Sequence, residues 1–497
     1  MSAPPTAPPD PRGTGPEGAC DQATQAAWRA LVFPPGYRNP APAARYQLVV
    51  LGAGPAGLLT AIVAAGLGAR VALIERQAMG GDCLNVGCVP SKTLLAAASA
   101  GLGFEAAMQR VHAVRAAIAQ HDSVERYRRA GVDVFLGAAR FTGAHELEVH
   151  GQRLATARTV IATGARAFVP PLPGLREIGP LTNETVFELA TQPRRLAVLG
   201  AGPVGCELAQ AFARLGTHVE LIELADRILP KDEPQAARCV TEALRRDGVN
   251  VRLGARLASA TRGGDGVRLL MLEDGTRVAA DQVLVAVGRS RNLEDLGLER
   301  AGVRFDAQHG VGVDARLRTS HPHIYAAGDV CAGLQFTHVA DAHARIVVRN
   351  ALFRGRARAD RLVIPWCTYT RPEVAHVGAT SGELERAGCA FDRYRVEFGE
   401  LDRGRTDDAA DGYAELLTRR GSDRILGATI VGKDAGEQLA PLLVALDRGL
   451  TLGSLASLVL PYPTRAEYLR RLVDGWSRTR LTPRAARTLR WWLRLTL

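Results

Sequence analysis

Cys83 and Cys88 sit five residues apart in GGDCLNVGCVPSK (80–92), a glycine-rich stretch that ends on Lys92. Two thiols at this spacing could form a redox couple, supply half of a metal site, or fill space as small core residues. The lysine carries information through its rarity. Of 62 basic residues only Lys92, Lys231 and Lys433 are lysines; all the others are arginine. A lysine here hints at a need for a compact ammonium rather than a planar guanidinium.

The elements that must position this stretch come as an internal repeat. RYQLVVLGAGPAGLLTAIVAAGLGARVALIER (45–76) and RRLAVLGAGPVGCELAQAFARLGTHVELIEL (194–224) share one pattern. Each has an apolar strand, Gly-x-Gly-x-x-Gly, an apolar-periodic helix, a Leu-Gly stop and a second strand closed by an acid. The glycines are Gly52, Gly54 and Gly57 in the first copy and Gly200, Gly202 and Gly205 in the second. Glu75 and Glu223 close them at the same distance. Glycine lets the backbone approach a pyrophosphate, and the helix N-terminus offers amide hydrogens and positive dipole. The closing carboxylate accepts hydrogen bonds from a ribose diol. One such turn is weak evidence; two in matching context predict two bound dinucleotides.

Three further apolar strands end on small residues: TVIATG (159–164), VLVAVGR (283–289) and HIYAAGDV (323–330). They bring Thr163, Gly164, Gly288 and Asp329 to strand ends, where ligands of α/β sheets bind. Asp329 is suited to a sugar or ribitol hydroxyl.

Composition frames this picture. A chain of 497 residues implies two to four domains, and 52 glycines with 5% aromatic residues favour an α/β protein with many strand–helix turns. The net charge of +11 comes mostly from scattered arginine, which reads as a solvated surface rather than a nucleic-acid patch. Eight widely spaced cysteines with no secretory signal before them do not form a disulfide framework and fit a reducing cytoplasm. Residues 48–69 carry no charge over a length that tempts a membrane-span assignment, but the GAGPAG turn inside them argues for a buried strand and helix. Residues 1–44, rich in Pro, Ala and Gly, read as a flexible leader without the pattern of a transit peptide.

GAGPAG, CLNVGCVPSK, ATG, the second GAGPVG and AAGDV, in that order, resemble the flavoprotein disulfide reductases, the family of dihydrolipoamide dehydrogenase, glutathione reductase and mercuric reductase. The likeness runs from about Arg45 to about Trp476. It implies an α/β fold with two Rossmann-like dinucleotide-binding domains, the second inserted in the first, and an α+β dimerisation domain. The expected limits are 45–175 with 295–363 for FAD, 176–294 for the nicotinamide nucleotide, and 364–475 for a homodimer interface. FAD would then lie against Gly52, Gly54, Gly57, Glu75 and Asp329.

On this resemblance Cys88 is the thiolate that faces the flavin and Cys83 the outward thiol that attacks substrate. An undistorted helix separates residues five apart too widely for a disulfide, so CLNVGC must be distorted, and Gly87 and Pro90 ease that. Lys92 would stabilise the thiolate and the reduced flavin, and Glu207 matches the acid that pairs with this lysine. A structural zinc site would need two further ligands at short spacing, which the sequence lacks. Glu223 favours a free 2′-hydroxyl, hence NADH, while Arg227 leaves NADPH open.

The substrate end departs from the lipoamide and glutathione enzymes. Where they carry His-Pro-x-x-x-Glu, this chain reads PYPTRAE (461–467), with Tyr462 at the histidine position and Glu467 retained. A phenol of pKa about 10 is a poor proton shuttle near neutrality. Tyrosine here resembles mercuric reductases, whose substrate is a soft, thiolate-bound metal ion. Those enzymes typically end in a cysteine pair, whereas the last cysteine here is Cys389, and the leader has only Cys20. The expected acceptor is therefore mercuric ion-like or a small disulfide. A dihydrolipoamide dehydrogenase-like enzyme and a membrane-recruited flavoprotein redox sensor or platform without turnover are the alternatives.

The end of the chain, WSRTRLTPRAARTLRWWLRLTL (476–497), has six arginines and no acid. It predicts a basic amphipathic helix, packed on the protein or lying on an anionic membrane surface. The expected location is cytoplasmic, either free or peripheral at the inner membrane face.

Overall fold

The computed structural model describes residues 22–264 and 266–496. The chain divides into two compact units. One holds the described residues up to Gly200 with Leu208–Ile222 and Ala255–Asp360; the other holds Ala201–Glu207, Glu223–Gly254 and the residues from Arg361.

The first unit opens with α1 (Gln22–Val32), then β1 (Leu48–Leu51), α2 (Pro55–Gly66), β2 (Val71–Glu75), α3 (Gly81–Asn85), α4 (Cys88–Ser99), α5 (Phe104–Ala119) and β3 (Val132–Leu136). β1 is buried along its whole length, as a strand covered on both faces must be. It lies at the centre of a five-stranded parallel sheet in the order Ile324–Ala326, Thr159–Ile161, β1, β2, β3. The chain order reverses beside β1, so the crevice at its carboxyl end is where a ligand belongs. Arg195–Leu199, His218–Ile222 and Gln282–Val285 pair in parallel in the same way, with Arg195–Leu199 in the middle.

In the second unit a five-stranded antiparallel sheet runs in the order Trp366–Thr368, Glu373–Gly378, Ile425–Gly432, Tyr413–Arg419, Phe391–Glu397. Its apolar core is closed by Leu442, Tyr468, Leu472 and Val473 from the helices Ala440–Asp447 and Glu467–Arg480. Mixed α/β architecture of the expected class is present.

Two expectations need correction. Residues 1–44 are not flexible throughout: α1 is a helix whose Trp28 and Val32 are buried. The Pro- and Ala-rich composition hid a short segment with two large apolar residues at i and i+4, enough to anchor one helix face. Residues 1–21, with Cys20, lie outside the described residues. The basic tail is not one helix either. Trp476 belongs to Glu467–Arg480, and a second helix, Pro483–Leu495, starts after a break. Pro483 cannot donate to a preceding turn and suits a first helical position, and Thr482 caps it by accepting the Ala485 amide at 3.2 Å. This last helix has no buried residue. Among the described residues no helix is long and apolar enough to cross a membrane.

Candidate functional site

The two glycine turns have nearly the same local geometry. Gly52 has φ +97° and Gly200 φ +95°, values that favour glycine. Their amides donate to Ile74 O and Ile222 O, each at 2.8 Å. A Cβ on Gly52 would lie 2.4 Å from Ala162 O, and one on Gly200 2.6 Å from Ala286 O. The closing acids also match. Glu75 accepts the Ala53 amide at 2.7 Å and Glu223 the Ala201 amide at 2.6 Å. Their other oxygens take Gln77 N at 2.7 Å and Ala225 N at 2.8 Å. Each carboxylate thus stiffens its own turn and keeps further lone pairs for a ribose diol. Burial pushes the Glu75 carboxyl up, against the pull of those amides.

Glycine is required inside the first turn and beneath it. A Cβ on Gly57 would fall 1.8 Å from Gly52 O, and one on Gly81 2.6 Å from the Cα of Gly54. Gly202 differs, since a Cβ there would meet nothing within 4 Å. That open approach is what a pyrophosphate needs, so the residues present fit dinucleotides at both turns. Gly205 is buried in the helix Pro203–Arg214.

Thr163 and Gly164 are locked to one neighbour. Thr163 Oγ1 donates to Asn292 O at 2.8 Å, Asn292 Nδ2 donates back to Thr163 O at 2.8 Å, and the Asn292 amide reaches Gly164 O at 3.0 Å. Gly288 takes φ +140° just before Arg289. Arg289 is an integrator that the motifs did not single out. Its guanidinium pairs with Asp82, donates to Ala165 O at 2.7 Å and lies 3.7 Å from Asp329. Burial raises the Asp329 carboxyl, opposed by this arginine.

The cysteine segment breaks its helix as predicted. α3 ends at Asn85 and α4 begins at Cys88, with the chain turning at Val86–Gly87. A Cβ on Gly87 would come within 2.7 Å of Asp82 O and 3.3 Å of the Cys83 Cα. Glycine therefore lets the two helices close on one another. Cys83 is half-buried and Cys88 exposed. Their hydrogen bond pushes the Cys83 thiol well above its ordinary value, with burial adding to it. Thr337, first residue of the helix Thr337–Phe353, shares a hydrogen bond with Cys88 Sγ at 3.8 Å. No motif pointed to Thr337; a hydroxyl opening a helix after the GD turn was the available signal. Lys92 lies one turn after Cys88 on α4.

The remaining candidates belong to the second unit. Glu207 is 2% exposed, and its Oε1 accepts the Tyr369 amide at 2.9 Å. Tyr462 is 73% exposed and donates its hydroxyl to Asp402 at 2.6 Å. That bond raises the phenol above its ordinary value. Glu467 opens its helix, takes Arg471 Nε at 2.9 Å on Oε1, and has a buried Oε2 without a hydrogen-bond partner. Among the described residues no group of three or more His, Cys, Asp or Glu is arranged to hold a metal ion.

Known proteins resemble this chain in sequence and fold. The family description "Pyridine nucleotide-disulphide oxidoreductase" matches residues 46–344, and its dimerisation domain matches residues 364–473. A mercuric reductase of Staphylococcus aureus is 33% identical over 444 residues, covering 86% of this chain and 81% of its own. A dihydrolipoyl dehydrogenase of Thermus scotoductus is 34% identical over 448 residues, covering 85% and 96%. The Cu(II) complex of the HOCl-induced flavoprotein disulfide reductase RclA from Escherichia coli superposes with a TM-score of 0.81 at 29% identity, covering 87% and 99%.

Proposed function

Since the chain belongs to the pyridine nucleotide-disulphide oxidoreductase family, whose members use FAD and NAD(P)H, we propose that it carries electrons from NADH to the Cys83–Cys88 pair and on to a mercuric ion-like or small disulfide acceptor. FAD, when bound, supplies the two-electron relay between nicotinamide and disulfide. The observation that carries the reading is the α3–α4 break, which holds the two cysteines in mutual hydrogen-bond reach beside Thr337.

Gly52, Gly54, Gly57, Glu75, Thr163, Gly164 and Asp329 hold FAD in this proposal, within residues 45–175 and 295–363. Gly200, Gly202, Gly205, Glu223 and Gly288 hold the nucleotide, within 176–294. Glu223 is the argument for NADH, because a 2′-phosphate would be repelled by its carboxylate. Lys92 favours the Cys88 thiolate, with Glu207 as its acid.

The balance is simple. Two electrons and two protons open the disulfide to two thiols. The thiols then close again, either reducing a bound Hg²⁺ to Hg⁰ and releasing two protons, or passing both electrons and protons to another disulfide. Metal-ion reduction needs no proton delivered to a leaving thiolate, whereas disulfide exchange does. Tyr462, with its proton held toward Asp402, suits the first better than the second. The dimerisation domain supports a homodimer, and Tyr462 and Glu467 are proposed to serve the acceptor.

The test is an anaerobic NADH titration followed by mercuric ion, lipoamide and glutathione disulfide in turn. A long-wavelength thiolate–flavin absorbance, absent in Cys88→Ala, is expected, with turnover fastest on mercuric ion. No such band in the wild type would sink the electron path, and comparable turnover with lipoamide would sink the acceptor assignment.

A further inference from the structure

We propose that the N-terminal helix α1 is a positioning element for the Cys83–Cys88 pair, acting through Asn85. The inference rests on the redox role given to that pair above. Asn85 is one of four residues between the cysteines. Trp28 Nε1 donates to its Oδ1 at 2.9 Å, while its Nδ2 donates to Met79 O at 3.0 Å and Gly81 O at 2.8 Å. The side chain is a three-point staple across α3, and one of the three points belongs to α1.

Two more links run from α1 to the same segment. Arg115 on α5 donates to the Asn85 carbonyl at 3.3 Å and is 1% exposed, with its guanidinium 4.4 Å from the centre of the Trp28 ring. It pairs with Glu188 at 2.7 Å and donates to Gln25 at 3.0 Å, while Gln25 donates to Glu188 at 2.8 Å. At the end of α1 the Val32 carbonyl accepts the Met79 amide at 3.1 Å. A helix that merely covered apolar surface would need no such set. Burying a guanidinium is costly unless it is paired, and here α1 supplies a partner and an aromatic face.

The mechanical consequence follows from the joint. A disulfide holds its sulfurs about 2.05 Å apart, so its formation depends on how α3 and α4 are held at Val86–Gly87. A clamp on Asn85 fixes how α3 meets that joint and so sets the balance between dithiol and disulfide. In the half-reaction disulfide + 2 e⁻ + 2 H⁺ → dithiol, loosening the clamp moves the equilibrium.

Full-length Trp28→Phe keeps a ring against Arg115 and removes only the Nε1 donor; Gln25→Ala is a milder change at a partly exposed position. The pair would be equilibrated in dithiothreitol redox buffers and its thiols trapped and counted by mass spectrometry. Trp28→Phe is expected to shift the dithiol/disulfide equilibrium at least threefold from wild type, about 14 mV for a two-electron couple. Gln25→Ala is expected to shift it less, in the same direction. Wild-type equilibrium in both variants overturns the proposal, and if Trp28→Phe does not fold, wild-type equilibrium in Gln25→Ala alone does so. Since the buffer, not NADH, sets the redox poise, a failure of the electron path would leave this readout intact.

Discussion

Glu207 Oε1 accepts the backbone N–H of Tyr369 at 2.9 Å, so an acid expected to serve Lys92 also fixes the chain just after the strand Trp366–Thr368. Sequence alone offered one role for this residue, and the geometry gives it a second. The two can be separated because they need different properties of the carboxylate.

Glu207→Gln keeps an oxygen for the Tyr369 amide and removes the charge. The melting temperature is expected to stay within about 2 °C of wild type, the shift of a roughly 1–2 kcal/mol change in a chain of 497 residues. Reduction of the cysteine pair by NADH, followed by stopped flow, is expected to slow about tenfold, the effect of losing roughly 1.4 kcal/mol of charge stabilisation. A lower melting temperature with an unchanged rate would leave the glutamate a purely structural role.

Gly57→Ala and Gly202→Ala should behave differently although both are glycines of the repeated turn. The first drives a Cβ to 1.8 Å from Gly52 O, so little folded, FAD-containing protein is expected. The second meets no protein atom within 4 Å and should fold normally. Its methyl occupies the approach of the nucleotide, and the KM for NADH should rise about tenfold, roughly 1.4 kcal/mol of lost binding. Soluble yield, flavin absorbance and initial rates decide both.

The shared hydrogen bond holds the Cys83 thiol above its ordinary value. The thiolate is the reactive form, so alkylation of Cys83 in the reduced protein should still be climbing at pH 9. Cys88→Ala removes the largest cause of the shift, and the midpoint of the iodoacetamide pH–rate profile should move down. An unmoved midpoint would mean that burial alone sets it.

Tyr462→His replaces the phenol with an imidazole, which can carry a proton near neutrality. General acid–base catalysis contributes about 10²–10⁴ where geometry permits. Lipoamide turnover is expected to rise at least tenfold with mercuric ion turnover little changed, measured under the same NADH supply. In a separate check, Asp402→Asn should bring the Tyr462 phenol back down, seen as tyrosinate absorbance at lower pH.

Asp232 offers a stability test away from the redox site. Burial pushes its carboxyl up to about 6 even though Trp366 Nε1 donates to it at 2.8 Å. A raised carboxyl favours the neutral form in the fold, so stability is highest below the unfolded value near 3.8 and is lost as pH rises to about 6. The penalty above that is on the order of 2–3 kcal/mol. Asp232→Asn still accepts from Trp366 and should raise stability at pH 7.5, with no gain at pH 4. Urea unfolding at the two pH values checks the sign.

The glycine turns and their closing acids were legible because close backbone approach admits one residue type, and an acid at a fixed distance leaves few roles. The break in CLNVGC was legible for the same reason: Gly87 is where the chain must fold back on Asp82. What stayed hidden were contacts between residues distant in sequence. Arg289 joins Asp82 to Asp329 across more than two hundred positions, and Thr337 reaches Cys88 from a helix with no chemical motif. Trp28 was misjudged because average composition described the leader while two side chains governed it.

The family match begins at residue 46, whereas α1 ends at Val32. A truncation cut to the matched residues would preserve every cysteine, glycine and acid of the motifs, yet would leave Asn85 Oδ1 and the Arg115 guanidinium facing water instead of Trp28 and Gln25. Such a trimmed protein would be a different redox reagent from the whole one. Activities compared across relatives on shared domains alone would attribute to the cysteines what the segment ahead of those domains contributes.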